Sequence, residues 1–353
     1  RMKYGITIAG THGKTTTTSM VATVLGNGGL DPTVVLGGRL DTFGSNAKLG
    51  TGEFMIVEAD ESDRSFLLLS PTVAIVTNID EDHMESYSSI EDLKNTFLQF
   101  VNKVPFYGVV VLCLDDIVTK SIVPKIKRRI ITYGFCEEAD LHISSAAFKG
   151  SKSQFSLHDR GTLVGKFELN IPGRHNILNA VAAIAVGLDL GISVKSLCSS
   201  LTSFSGVDRR FQLKGAINGI TLIDDYAHHP TEIAVTLEAA KYLEHNRLVV
   251  VFQPHRYTRT RDLFEEFLRS FDGVDRLILT DIYGAGEDPI EGVNTENLYR
   301  AIKRRGHMDI HYIADKSQVA KKLLPSLRAG DLVLTLGAGD IHKVGNELLK
   351  WMQ

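Results

Sequence analysis

Cysteine is scarce in this chain of 353 residues: Cys113, Cys136 and Cys198 stand far apart and form no Cys-x-x-Cys pair. An odd, scattered set of thiols excludes a disulfide framework and a zinc ribbon as the basis of the fold. Long apolar runs are also lacking. The longest, at 109–114 and 248–252, have the length of strands, far short of the roughly 18 residues of a spanning helix, so no membrane insertion is expected. No signal-peptide pattern opens the sequence, and the expected location is cytoplasmic. An excess of positive charge is absent too, with 39 Lys and Arg against 42 Asp and Glu. Nucleic-acid binding, which draws its affinity from basic surface, is not expected, and any anion site must be local. Glycine (31) and proline (9) follow no period. What remains, 43% hydrophobic and 23% charged residues, describes a globular chain of about two domains at roughly 150 residues each.

The pattern along the chain is strand alternating with helix. The first forty residues predict strand, turn, helix, strand: 4–9 a strand, 10–13 a glycine turn, 14–25 a helix with Met20, Val21, Val24 and Leu25 at helical spacing, and a second strand after it. Buried strands are predicted at 54–57, 72–77 and 109–112, with a helix at 90–101 whose Leu93, Phe97, Phe100 and Val101 form one stripe. Short alternating segments over 141–169 predict antiparallel strands, followed by helices at 176–188 and 194–201. A second series begins after Ser205-Gly206, with strands at 221–223, 248–252, 276–280, 310–313 and 332–336. The expected architecture is α/β throughout: a phosphate-loop domain with a mostly parallel sheet over 1–205 and a Rossmann-like α/β domain over 206–353.

Chemistry concentrates first at Gly10-Thr11-His12-Gly13-Lys14-Thr15. A glycine loop between a strand and a helix aims backbone N–H groups at phosphate, with Lys14 as a point charge and Thr15 as a hydroxyl for Mg²⁺. The pattern departs from the usual phosphate loop because Ile8 stands where a glycine is expected. Glu58 ends a predicted strand and opens the acidic run Ala59-Asp60-Glu61-Ser62-Asp63, which is either a solvated loop or a metal-binding strand end. The next strand ends in Thr77-Asn78-Ile79-Asp80-Glu81-Asp82-His83, where His83 is a surface histidine or a ligand. In the second series, His228-His229-Pro230 reads as an anion-binding strand end or as a helix cap, and His255-Arg256 with Arg259 as an anion site or a solvated face. Leu336-Gly337-Ala338-Gly339-Asp340 is a further glycine turn, read as close packing or a minor anion contact.

Together with Gly173-Arg174-His175-Asn176-Ile177-Leu178-Asn179-Ala180, Gly206-Val207-Asp208-Arg209-Arg210-Phe211, Asp224-Asp225-Tyr226-Ala227-His228-His229-Pro230 and Gln253-Pro254-His255-Arg256-Tyr257-Thr258-Arg259-Thr260, these motifs resemble the Mur ligases of peptidoglycan precursor synthesis across essentially the whole chain. The resemblance implies an ATP-dependent amide ligase working through an acyl phosphate, with UDP-N-acetylmuramate and L-alanine as substrates. It implies that Gly10, Thr11, His12, Gly13, Lys14, Thr15 and Thr16 hold the phosphates. Thr15 and Glu58 would hold one Mg²⁺ and His83 a second, with Lys14, Glu58 and His83 as the catalytic set. His175, Asn176 and Asn179 would meet adenine, with Arg210 and Asp225 also reaching the nucleotide. His228, His229, His255, Arg256 and Arg259 would position the muramoyl carboxylate and the alanine. A ligase attaching a murein peptide to the same sugar nucleotide, and a phosphate-loop NTPase that joins nothing, are the competing readings. The family also carries an N-terminal UDP-binding domain, which nothing here matches, so a fragment without it is expected. Some members use a carbamylated lysine for the second metal; Lys94 is the only lysine in the corresponding helix and receives no such role.

Overall fold

A computed structural model describes residues 3–40, 45–306 and 309–353. The chain divides into two compact units, Arg1–Asp208 and Arg209–Gln353. Among the described residues no helix is long and apolar enough to cross a membrane.

In the first unit, strand β1 (Tyr4–Ala9) leads into helix α1 (Lys14–Asn27), followed by β2 (Thr33–Leu40), β3 (Ser45–Lys48), β4 (Phe54–Glu58) and β5 (Val73–Val76). Helix α2 (Ile90–Asn102), β6 (Val109–Cys113), α3 (Ile117–Ile122) and β7 (Ile130–Gly134) continue the alternation. The strands β8 (Leu141–Lys149), β9 (Lys152–Asp159) and β10 (Thr162–Leu169) then precede α4 (Arg174–Asp189) and α5 (Val194–Ser203). All ten strands join one sheet in the order β10-β9-β8-β7-β6-β5-β1-β4-β2-β3. Strands β1, β2 and β4 to β8 run parallel, whereas β3 and β9 are antiparallel to their neighbours.

The continuous apolar runs are explained by helices on both faces. In β6, Val109, Val111 and Cys113 enter one core, with α1 and α4, while Val110 and Leu112 enter the other, with α2. Leu93, Phe97, Phe100 and Val101 of α2 lie in that second core, as their helical spacing predicts. Ser89 caps α2 by accepting the Asp92 N–H. Helix α4 meets α1 through Asn179, whose Oδ1 accepts the Thr17 hydroxyl, and Gly187, where a Cβ would stand 2.9 Å from Val24 Cγ1, so the two backbones approach closely. The chain runs from β1 to β2 and β4 on one side and then to β5 on the other, which makes the carboxyl end of β1 the switch point where open α/β sheets bind ligands.

The second unit contains β11 (Gln212–Ile217), β12 (Ile220–Asp225), α6 (Pro230–Ala240), β13 (Arg247–Phe252), α7 (Tyr257–Asp262), α8 (Phe264–Phe267) and β14 (Arg276–Leu279). It closes with α9 (Thr295–Arg304), β15 (Ile310–Tyr312), α10 (Val319–Leu323), β16 (Asp331–Leu336) and α11 (His342–Met352). Its sheet runs β11-β12-β16-β13-β14-β15, parallel except for the edge strand β11. Here again both faces are covered by separate apolar cores. Strands β3, β7 and β11 are not predicted by the sequence pattern. Strand β11 is an edge strand with mixed exposure, so its residues lack the apolar run of a central strand.

Candidate functional site

The loop after β1 is shaped by two glycines in the left-handed region, Gly10 (φ +132°) and Gly13 (φ +80°). Neither tolerates a side chain. A Cβ on Gly10 would stand 2.1 Å from Thr77 Oγ1, and one on Gly13 would stand 2.7 Å from Asn179 Oδ1. Gly13 is also the residue before α1, and no side chain caps that helix. Its N-terminal N–H groups are therefore left for an anion. The end of β5 clasps the loop from the side. The His12 N–H donates to Asn78 Oδ1 (2.8 Å), the Asn78 amide donates to the His12 carbonyl (3.0 Å), and the Thr77 hydroxyl donates to the same carbonyl (2.7 Å). The Asp80 N–H donates to Thr11 Oγ1 at 2.9 Å, and His12 Nε2 lies 3.0 Å from Asp80 Oδ2. Thr77, Asn78 and Asp80 carry no predicted role in the sequence; the Thr-Asn-Ile that follows the apolar strand is the only signal they give.

Of the predicted catalytic residues of this unit, Lys14 and Glu58 lie at the loop, while His83 follows the end of β5 by seven residues. Lys14 Nζ donates to the carbonyls of Gly10 (2.7 Å) and Thr11 (3.2 Å) and to Glu61 Oε1 (2.8 Å). The Thr15 hydroxyl donates to Glu58 Oε1 at 2.8 Å. Thr16 is buried in the first turn, and the Thr18 and Ser19 hydroxyls bond back to the carbonyls of Lys14 and Thr15 (2.8 and 2.7 Å). His83 adopts φ +56° at the start of a short turn, with Nε2 3.6 Å from Asp82 Oδ2 and Nδ1 3.5 Å from Glu85 Oε1. Glu61 is 2% exposed. Burial pushes its carboxyl above the ordinary range, opposed by the Lys14 ammonium and by His83. Lys94 lies 3.8 Å from Glu91 on its own helix. For a divalent cation, the Thr15 hydroxyl and Glu58 carboxylate form an adjacent pair of hard oxygen donors, the donor type Mg²⁺ requires.

On α4 the two predicted asparagines are buried and engaged. Asn176 Nδ2 donates to the Pro172 carbonyl (2.6 Å), while Asn179 Oδ1 accepts the Thr17 hydroxyl (3.1 Å). Asn179 thus joins α4 to α1 beside the loop, and half-buried His175 sits one turn earlier. Next to it, the Arg174 guanidinium lies 3.4 Å over the Phe135 ring and 3.1 Å from Asp115 Oδ2, an arrangement with no sequence signal.

In the second unit, Arg210 lies 4.9 Å over the Tyr226 ring and 3.8 Å from Glu232. Asp225 accepts the N–H groups of Phe211 (2.6 Å) and Ala227 (2.7 Å). Burial pushes its carboxyl up to about 6, with Arg210 pulling the other way. His229 begins α6 and its ring accepts the Thr231 N–H at 3.3 Å, so the helix-cap reading is realised at that residue. His228 Nδ1 lies 2.9 Å from the Tyr226 carbonyl, and its ring is 5.3 Å from that of His255. His255 stacks on Tyr283 (5.7 Å, 13°) and its Nδ1 is 3.2 Å from Arg259 Nη1. Arg256 takes φ +70° ahead of α7. His228, His255 and Arg259 thus form one cationic and aromatic patch beyond the carboxyl ends of β12 and β13, which suits an anionic substrate. Tyr283, which completes it, lies far along the chain and outside every sequence motif. The Gly337-Ala338-Gly339 turn is a close-packing element: a Cβ on Gly339 would stand 2.8 Å from Tyr283 Cγ and 2.5 Å from Gln253 Oε1. Arg209 binds it through the carbonyls of Gly337 (2.5 Å) and Gly339 (2.9 Å).

Comparison with known proteins gives the same reading from a separate direction. Residues 8–187 match the Mur ligase middle domain, and residues 209–339 match the Mur ligase glutamate ligase domain. A UDP-N-acetylmuramate–L-alanine ligase of Geotalea daltonii is 55% identical over 350 residues, covering 99% of this chain and 76% of that protein. The crystal structure of a UDP-N-acetylmuramate-alanine ligase from Thermotoga maritima superposes with a TM-score of 0.83 at 29% identity, over 99% of this chain and 75% of that one. A murein peptide ligase from Psychrobacter arcticus superposes less closely, with a TM-score of 0.71 at 25% identity over 99% and 77% of the two chains. With both domains matched in order and the phosphate loop built at the switch point of the first sheet, the chain belongs to the Mur ligases, the ATP-using ligases of peptidoglycan precursor synthesis.

Proposed function

We propose that this chain joins L-alanine to the carboxylate of UDP-N-acetylmuramate. The γ-phosphoryl group of ATP passes to that carboxylate, the amine attacks the resulting acyl phosphate, and amide, ADP and phosphate are released. The observation that carries the reading is the 55% identity, over 350 residues, to a relative named for this reaction. The murein peptide ligase is the weaker match.

The chemical problem is that two anions must meet. Lys14, at the head of α1, offers a cation where charge develops on the transferred phosphoryl group, and the N–H groups of Gly13, Thr15 and Thr16 offer fixed dipoles. Gly10, Thr11 and His12 shape the loop instead, the Thr11 and His12 N–H groups being donated to Asn78. Thr15 and Glu58 would hold one Mg²⁺ and His83 a second. Bound there, Mg²⁺ would neutralise phosphate charge and draw the carboxylate toward the γ-phosphate. His175, Asn176, Asn179, Arg210 and Asp225 are assigned to the nucleotide. His228, His229, His255, Arg256 and Arg259 are assigned to the muramoyl carboxylate and the amino acid. The cytoplasm is assigned as the compartment, in keeping with three free cysteines.

Phosphate release, measured while ATP, Mg²⁺, UDP-N-acetylmuramate and L-alanine are omitted one at a time, tests the proposal. Release that needs all four supports it. Release with a murein tripeptide in place of alanine would make the chain a recycling ligase, and release from ATP alone would make it a simple NTPase.

A further inference from the structure

Of the three acids that follow β4 and that the proposed reaction leaves without a task, Asp60, Glu61 and Asp63, Glu61 is the buried one. Glu61 is nearly inaccessible, yet it faces Lys14 at 2.8 Å, and its second oxygen, Oε2, is buried with no hydrogen-bond partner. A buried carboxylate half satisfied by a lysine is costly to build unless the pair serves the lysine.

The surroundings fix this carboxylate in space. The Tyr87 hydroxyl donates to the Glu61 carbonyl. Arg64 lies 4.6 Å over the Tyr87 ring, donates to the Ser86 carbonyl (2.9 Å) and reaches Asp92 Oδ2 (2.5 Å) in the first turn of α2. The loop holding Glu61 is thereby fastened to α2, on the far side of the sheet from α1.

We propose that Glu61 is a positioning residue for Lys14, holding its ammonium at the mouth of the phosphate loop before and during phosphoryl transfer. An ammonium has three N–H groups, and here all three are engaged, by Gly10, Thr11 and Glu61. To meet a phosphate oxygen, Lys14 must release one of them. The two carbonyls are neutral and belong to the loop, whereas release from Glu61 would strand a buried charge. Lys14 therefore keeps Glu61 and yields a carbonyl, and the direction of its remaining N–H is set by a carboxylate that cannot move. This rests on the reading that Lys14 contacts the phosphates of ATP.

The test is a cycle of Lys14→Ala, Glu61→Gln and the double variant, with Glu61→Asp as the conservative control, read by turnover and by calorimetric binding of ADP. Glu61→Gln is expected to lower kcat roughly tenfold or more and to weaken ADP binding, while the KM for L-alanine stays unchanged. Glu61→Asp should recover part of both losses. In the Lys14→Ala background, Glu61→Gln should add nothing, because the group it directs is gone. If Glu61→Gln fails to fold, Tyr87→Phe removes only the grip on the Glu61 carbonyl and should give a smaller loss of the same kind, with circular dichroism unchanged. Unaltered kcat and ADP binding in Glu61→Gln, or in Tyr87→Phe where that variant stands in for it, overturn the proposal, as do additive losses in the cycle. A Lys14→Ala enzyme with full turnover overturns instead the phosphate-loop reading beneath it.

Discussion

Glu58 accepts the Thr15 hydroxyl at 2.8 Å through one oxygen, and through the other it accepts the Gly37 N–H at 3.0 Å. One carboxylate at the end of β4 thus orients the first turn of α1 and is itself oriented by β2.

This pair predicts a metal phenotype. Glu58→Gln keeps the shape but removes the charge, and the Mg²⁺ concentration for half-maximal turnover should rise about tenfold or more. His83→Ala should raise it as well, with circular dichroism unchanged. A Mg²⁺ titration that both variants leave unmoved would remove these residues from the metal.

Lys14→Ala should lower turnover about a hundredfold or more, the scale of losing one preorganised electrostatic contact to the transition state. Steady-state phosphate release at saturating ATP measures it. Near-normal turnover would show that the loop binds something other than the transferred phosphate.

Gly13→Ala should weaken both stability and nucleotide binding. At φ +80° a Cβ costs roughly 1–2 kcal/mol, and the added atom would meet Asn179 Oδ1 at 2.7 Å. Scanning calorimetry should show a lower melting temperature. Adding Asn179→Ala should restore only part of the loss, since it clears the contact and leaves the backbone strain. A Gly13→Ala protein as stable as the parent would mean that the turn does not need its left-handed glycine.

Asp225 should titrate near pH 6 in the folded protein, far above the ordinary aspartate value of 3.8. Between those limits the folded state holds a proton that the unfolded chain has lost. The contribution of this group to stability is therefore full below about pH 4 and is lost as pH rises through about 6, a change on the order of 2–3 kcal/mol at roughly 1.4 kcal/mol per unit. Arg210 opposes the shift and Glu232 supports it. The carboxyl carbon shift of Asp225, followed by NMR, checks the sign; a midpoint at or below 4 would show that burial does not dominate.

The architecture was legible wherever burial on two faces wrote a continuous apolar run, as in β1, β5, β6, β13 and β16, and wherever α2 wrote its stripe of Leu93, Phe97, Phe100 and Val101. It was illegible at β11, where Leu213 and Ala216 are exposed while Gln212 and Lys214 are half-buried, so neither an apolar run nor a regular alternation marks the strand. The phosphate loop was legible because glycine, lysine and threonine must be adjacent in the chain to work. Its supports were not. Asn78, Asp80 and Glu61 act on residues 66, 68 and 47 positions away, and nothing local marks an acid as a partner of Lys14 rather than of solvent. Asn179 shows the opposite case: its motif was visible, but its bond to Thr17 shows that part of its work is to join two helices.

The clasp between the loop and the end of β5 also bears on kinetics. With the His12 amide on Asn78 and the Asp80 amide on Thr11, these backbone protons exchange with solvent only when the strand end lets go. A cradle that already has its shape contributes no refolding step to the arrival of a phosphate chain. Its share of the association rate is then set by collision and orientation, and differences in affinity among nucleotides are expressed in how long each one stays.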